Sequence, residues 1–103
     1  MYELSPREAY EAWQAGDAVI IDVREAHEYA QAHVPGIPLI SMSEIQQRLG
    51  DVPDGQLVVM CHSGVRSAQV AQWLESLGGY GEVANLDGGI AGWVSDGLPF
   101  ESV

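Results

Sequence analysis

The sequence predicts an α/β protein built on a parallel sheet of four or five strands. Short, nearly continuous apolar runs recur along the chain, as in Ala18-Val19-Ile20-Ile21-Asp22-Val23 and Leu57-Val58-Val59-Met60. Such runs mark strands covered on both faces. Segments with helix start and stop signals lie between them. The connections are long enough for crossovers and too long for hairpins.

Ser5-Pro6-Arg7-Glu8 opens the first helix. Ser5 is a cap, Pro6 suits the first helical position and Glu8 completes a capping box. Tyr10 and Trp13 supply its apolar face, and Gly16 ends it. The run 18–23 is the first strand. Residues 24–32 hold a short helix, and His33-Val34-Pro35-Gly36 is a turn. Ile37-Pro38-Leu39-Ile40 reads as a second strand, at a sheet edge because of its prolines. Ser43 caps a helix that runs to about Leu49, with Gly50 as its stop.

Asp51-Val52-Pro53-Asp54-Gly55 turns the chain into the central strand, 56–60. A helix follows from about Ser67 to Leu77, with Val70, Ala71, Leu74 and Leu77 as its buried stripe. Gly78-Gly79 terminates it. Residues 82–86 form the last strand, and 90–95 a short helix holding Trp93. The tail from Gly97 to Val103 reads as loop.

The 103 residues suit a single domain. An apolar fraction of 47% supports a real core of modest size and argues against disorder. No apolar run is long enough to span a bilayer, and the N-terminus lacks the basic-then-apolar pattern of a secretory signal. The expected setting is the cytoplasm. Fifteen acidic residues stand against four basic ones, Arg7, Arg24, Arg48 and Arg66, for a net charge of −11. That balance repels nucleic-acid backbones and anionic membranes, so neither is an expected partner. A single cysteine, Cys61, excludes an internal disulfide and a Cys-rich zinc site. His27, His33 and His62 show no metal-ligand spacing, so no metal or other cofactor is expected.

Chemistry concentrates at Cys61-His62-Ser63-Gly64-Val65-Arg66-Ser67. Cys61 ends a strand, and ligands of open parallel sheets sit at carboxyl ends of strands. The next residues pack several backbone N–H groups into a small arc, and Gly64 permits the sharp turn. A helix N-terminus points at the same spot, and Arg66 adds a full positive charge. All three favour thiolate over thiol. Free cysteines are often inert and buried, but such a cysteine has no need of a glycine turn and an arginine beside it. His62 is adjacent in sequence and therefore badly placed to act as a general base. Two chemistries need a thiolate inside a cradle of donors: sulfur transfer through a persulfide and phosphoryl transfer through a cysteinyl phosphate.

Four separated motifs cover nearly the whole chain: Ile21-Asp22-Val23-Arg24-Glu25 with Glu28-Tyr29; His33-Val34-Pro35-Gly36-Ile37; the segment 59–67; and Leu86-Asp87-Gly88-Gly89-Ile90 with Trp93, closed by Gly97-Leu98-Pro99. In this order they resemble the single-domain rhodaneses, the thiosulfate sulfurtransferases. The resemblance implies a five-stranded parallel sheet flanked by helices. It implies Cys61 as the nucleophile that takes a sulfane sulfur and the segment from His62 to Ser67 as the cradle of its persulfide. It implies that Arg66 stabilises the thiolate and attracts an anionic donor such as thiosulfate. Asp22 and Arg24 would support the loop structurally, and Asp87-Gly88-Gly89 and Trp93 would be architectural.

Four residues separate Cys61 from Arg66. Related phosphatases and arsenate reductases carry five, so the shorter loop matches sulfur transfer. The mercaptopyruvate-specific relatives, by the same resemblance, lack this arginine, so Arg66 favours thiosulfate or another anionic sulfur donor over mercaptopyruvate. His62 stands where active thiosulfate enzymes often carry a more basic residue. The implied reaction partners are a small anionic sulfur donor and, as acceptor, a thiol, cyanide or a sulfur-accepting protein. A partner-dependent sulfur carrier or docking module with little free catalysis is the alternative.

Overall fold

The computed structural model describes all residues from Met1 to Val103. Its parallel sheet has four strands, β1 (Tyr2–Leu4), β2 (Val19–Asp22), β4 (Leu57–Met60) and β5 (Ala84–Leu86), in the order β1-β5-β4-β2. Four helices flank it: α1 (Pro6–Gln14), α2 (Ala26–Gln31), α3 (Val65–Leu77) and α4 (Gly89–Ser95). Two short strands, β3 (Ala32–His33) and β6 (Glu101–Ser102), pair antiparallel outside the main sheet. The expected α/β class with a flanked parallel sheet is observed, with four strands rather than the five that the resemblance implies. No helix is long and apolar enough to cross a membrane.

Alternation along the strands divides the core in two. In β4, Val58 and Met60 join one apolar cluster with Ala9, Ile90 and Trp93. Leu57 and Val59 join the other, with Val70, Ala71 and Leu74 of α3. Successive strand side chains point to opposite faces, so Cys61, next after Met60, falls on the α3 side. The same rule in β5 sends Ala84 and Leu86 away from α3. Asn85 is left facing the cysteine side.

Helix α1 carries the capping box read from Ser5 and Glu8. Tyr10 and Trp13 meet Trp93 of α4, with ring centroids 5.5 and 6.1 Å apart. Trp93 is fully buried, and its Nε1–H donates to the Pro99 carbonyl at 2.8 Å. That bond turns the tail back over the domain, so β6 forms where the sequence suggested only loop.

Four other features depart from expectation. The segment Ile37 to Ile40 makes only an isolated parallel bridge, Leu39 to Asp22. Pro38 has no N–H to continue a ladder, although its carbonyl and the Ile40 N–H bond to Asp22 at 2.9 and 2.8 Å. Strand β1, unmarked by any apolar run, completes the sheet by pairing with β5. The helix expected after Ser43 is two 3-10 turns, Ile45–Gln47 and Leu49–Asp51. Leu77 is exposed rather than part of the α3 stripe, because the chain ends its helix there beyond the edge of the core.

Candidate active site

Cys61 follows the last residue of β4, the strand between β5 and β2, and is 1% exposed. The chain then turns through exposed His62 and Ser63 to Gly64, which caps α3 with φ of 103°. That left-handed conformation suits glycine. It also lets the helix start at Val65, two residues earlier than the sequence suggested. A Cβ at Gly64 would come within 3.3 Å of the Gly88 nitrogen and 3.4 Å of the Leu86 oxygen.

The turn wraps the sulfur in donors. Gly64 N–H lies 3.1 Å from Sγ, and the buried Ser67 hydroxyl lies 3.2 Å from it. Burial pushes the thiol pKa up. Hydrogen bonds from the Ser67 side chain and from the backbone N–H groups of Ser67, Gly64 and Ser63 outweigh it and hold the pKa below its ordinary value. The direction predicted from the loop is therefore present, and hydrogen bonding is the cause that dominates.

The loop carbonyls are held out of the way. Ile90 N–H donates to the Cys61 carbonyl at 2.8 Å and Ala91 N–H to the His62 carbonyl at 3.0 Å. These donors come from the first turn of α4, whose N–H groups lack intrahelical partners. With its carbonyls drawn toward α4, the loop presents N–H groups to the sulfur. Gly89 makes this approach possible. A Cβ there would lie 2.4 Å from the His62 oxygen and 2.5 Å from the Cys61 oxygen.

Asn85 was not apparent as a site residue from sequence. Its Oδ1 lies 2.5 Å from Ser67 Oγ, and its Nδ2 donates to the Gly64 carbonyl at 3.0 Å and to Glu3 Oε2 at 2.9 Å. Glu3 is its register partner on β1. The available signal was a single amide inside the apolar run 82–86, at the alternation that faces Cys61.

Arg66 does not hydrogen-bond the sulfur. Its two terminal nitrogens donate to Glu28 Oε1 and Oε2 at 2.7 and 2.9 Å. Glu28 lies on α2 and also accepts from the Glu25 N–H at 3.1 Å. The Arg66 hydrogen bond lowers the Glu28 carboxyl pKa to about 2. Asp22 and Arg24 form a second bidentate pair, buried, with Arg24 Nη2 to Asp22 Oδ2 at 2.9 Å and Arg24 Nε to Oδ1 at 3.1 Å. Arg24 Nη2 also reaches the Ala32 carbonyl at 2.7 Å. The pair thus fixes the end of α2 and makes no direct bond to the loop. Tyr29 and His33 stack at 4.3 Å, and the Tyr29 hydroxyl donates to the Ile37 carbonyl. No group of histidine, cysteine and carboxylate side chains is arranged to hold a metal.

Residues 5–96 match the family model for the rhodanese-like domain. A sulfurtransferase of Allochromatium vinosum is 39% identical over 84 residues, which cover 81% of this chain and 78% of the relative. The thiosulfate sulfurtransferase GlpE of Actinobacillus pleuropneumoniae is 35% identical over 102 residues, covering 97% of this chain and 93% of the relative. Among solved structures, a rhodanese-related protein from Thermoplasma volcanium superposes with a TM-score of 0.87 at 25% identity and covers 98% of both chains. A rhodanese-like domain protein from Staphylococcus aureus superposes with a TM-score of 0.80 at 30% identity, covering 99% of this chain and all of the other. A strand-end cysteine inside a turn of N–H donors, on a sheet shared with these proteins, places the chain in one family: it belongs to the rhodanese-like domain family.

Proposed function

We propose that the protein is a sulfurtransferase that moves sulfane sulfur from thiosulfate, or a similar anionic donor, through a persulfide on Cys61. One observation carries this reading. The Cys61 sulfur accepts from Gly64 N–H and lies beside the Ser67 hydroxyl inside a loop with four residues between cysteine and arginine. The named activities of the two relatives support it.

Cys61 thiolate attacks the outer sulfur of thiosulfate. A new S–S bond forms at Cys61, the donor S–S bond breaks, and its electron pair leaves with sulfite. One negative charge then rests on the outer sulfur of the persulfide, where the loop N–H groups stabilise it. In the second half-reaction an acceptor thiolate, cyanide or a sulfur-accepting protein takes that sulfur and returns Cys61 to thiolate. Asn85 and Ser67 position the cradle, and Arg66 meets the anionic donor. The cytoplasm is the proposed setting.

Intact mass after incubation with thiosulfate tests the reading. The expected result is a gain of one sulfur atom, lost on adding cyanide and absent in Cys61→Ser. An unchanged mass with thiosulfate, mercaptopyruvate and inorganic polysulfide alike would refute it.

A further inference from the structure

We infer that Glu28 is a specificity-determining residue: paired with the loop arginine, it sets how strongly the site prefers an anionic reagent over an uncharged one. This role rests on the reading of Cys61 as the nucleophile.

Arg66 is the one arginine or lysine within the segment from Cys61 to Ser67, in a chain whose net charge is −11. Both terminal nitrogens of its guanidinium are engaged by one carboxylate. Planar bidentate pairs of this kind are the strong form of the interaction and are fixed in geometry. The carboxylate is itself held in place. Glu28 accepts from the Glu25 N–H in a capping box at the start of α2, and the Arg24 bond to the Ala32 carbonyl anchors the other end of that helix.

The carboxylate of the pair also faces a cleft beside the loop, while Arg66 lies outside that lining. Glu28 lines a cleft of about 530 Å³ together with Arg24, His62 and Ile90. His62 is the residue next to the nucleophile. The Glu28 and Arg66 side chains are 24% and 35% exposed, so solvent and solutes reach both. A dianion entering here has two routes. It displaces Glu28 from Arg66, or it binds the loop N–H groups while Arg66 stays neutralised. Either route weakens anion binding relative to a site with a free arginine. An uncharged reagent meets neither penalty. Glu28 remains ionised throughout the working pH range, so mild acid does not release the arginine.

Two alkylating reagents measure this without any sulfur chemistry. Iodoacetate and iodoacetamide both react with Cys61 thiolate and differ chiefly in charge. Their rate ratio within one variant cancels any change in the thiol pKa. Glu28→Gln keeps the side-chain volume and the capping acceptor. The expected result is a rise of about two- to fivefold in the iodoacetate-to-iodoacetamide ratio, the upper part of what partly exposed pairs supply. KM for thiosulfate should fall by a similar factor, with less change in kcat.

Arg66→Gln separates pairing from simple repulsion. If Glu28 masks the arginine, Arg66→Gln lowers the ratio more in the Glu28→Gln background than in the wild type. Additive effects would mean that Glu28 acts only as a nearby charge, and an unchanged ratio in Glu28→Gln would mean that it has no role; either outcome overturns the proposal. A shifted, non-additive ratio in a protein that forms no persulfide would uphold the role of Glu28 and remove only the sulfur chemistry. Normal persulfide formation with an unshifted ratio would do the reverse.

Discussion

Asn85 Nδ2 donates to the Gly64 carbonyl at 3.0 Å, so a side chain of β5 holds the turn whose own N–H reaches the Cys61 sulfur. The same side chain meets the Ser67 hydroxyl at 2.5 Å through Oδ1. The turn that carries a donor to the sulfur and the Ser67 hydroxyl beside it are thus both held by one amide that is 2% exposed.

Asn85→Leu is therefore expected to loosen the loop. It removes one hydrogen bond from the Gly64 carbonyl, which keeps the Ala68 N–H at 3.3 Å, and one from the Ser67 hydroxyl, which keeps the Cys61 sulfur at 3.2 Å, and each such bond is worth about 0.5–1.5 kcal/mol. Urea unfolding measures that loss. The pH profile of Cys61 alkylation separates a positioning role from a merely structural one. The apparent thiol pKa should move in this variant, because the turn that carries the Gly64 N–H is released and Ser67, freed from Oδ1, has its single proton for the sulfur; an unmoved profile would show that the cradle holds its shape without Asn85.

Cys61 should titrate below an ordinary thiol, because hydrogen bonds to sulfur outweigh its burial. Alkylation by iodoacetamide should reach half its plateau at lower pH in the folded protein than in urea. The sign of the stability effect follows. A depressed pKa in the folded state contributes stability that is fully present above the unfolded thiol pKa and is lost as pH falls through the folded one. Ser67→Ala removes the first-named of the favourable hydrogen bonds and should move the half-point upward. Coincidence of the Ser67→Ala and wild-type curves would rule out that hydroxyl as a cause.

Gly89→Ala should be far more damaging than its one added methyl suggests. Gly89 has φ of 59°, and its Cβ would lie 2.4 Å from the His62 carbonyl. A strained backbone conformation alone costs on the order of 1–3 kcal/mol, and here the contact with the loop backbone adds to it. We expect a lower melting temperature together with a slower alkylation of Cys61. Gly16→Ala is the control, since its φ is 78° and no atom lies within 4 Å of its Cβ. Equal losses in the two variants would show that strain alone acts and that the α4 contact is unimportant.

Asp22→Ala strips the buried Arg24 of its carboxylate. Arg24 and Asp22 are 3% and 0% exposed, and breaking one side of a buried pair costs roughly 3–5 kcal/mol. Urea denaturation at neutral pH should show a loss of that order. A loss within the range of surface substitutions would mean that Arg24 finds solvent or another partner.

Glu28 adds a small acid-side term. Its folded pKa, near 2, lies below the unfolded carboxylate value. The stability it contributes is present above the unfolded value and fades as pH falls toward 2. With partly exposed side chains the term should stay within about 1 kcal/mol. Comparing Glu28→Gln with the wild type at pH 7 and pH 3 should show the difference shrink on acidification. A constant difference would place the effect of Glu28 in packing or capping instead.

Much of the scaffold was legible because its signals are local. Ser5, Pro6 and Glu8 announce α1 through capping chemistry that involves only neighbours in sequence. The apolar runs of β2 and β4 announce buried strands. Strand β1 was not legible, since Tyr2-Glu3-Leu4 has no apolar run and its partner is more than eighty residues away. The tail strand β6 depends in the same way on distant contacts with β3. The turns after Ser43 show the opposite failure, where local helix signals were overridden by the path the chain takes beside β2.

At the candidate site, the sequence by itself singled out Cys61, the loop around it and the direction in which that loop pushes the thiol pKa. Those follow from residues within a few positions of Cys61, and local geometry is encoded locally. The tertiary structure decided which side chains reach that loop from elsewhere. Asn85 arrives because parallel pairing of β4 with β5 and the two-residue period of a strand aim it at the cysteine side. Glu28 arrives because the buried Asp22–Arg24 pair anchors α2 beside the loop, so that the loop arginine is neutralised. Partners that meet across strands and helices are set by packing, which no spacing in the sequence records.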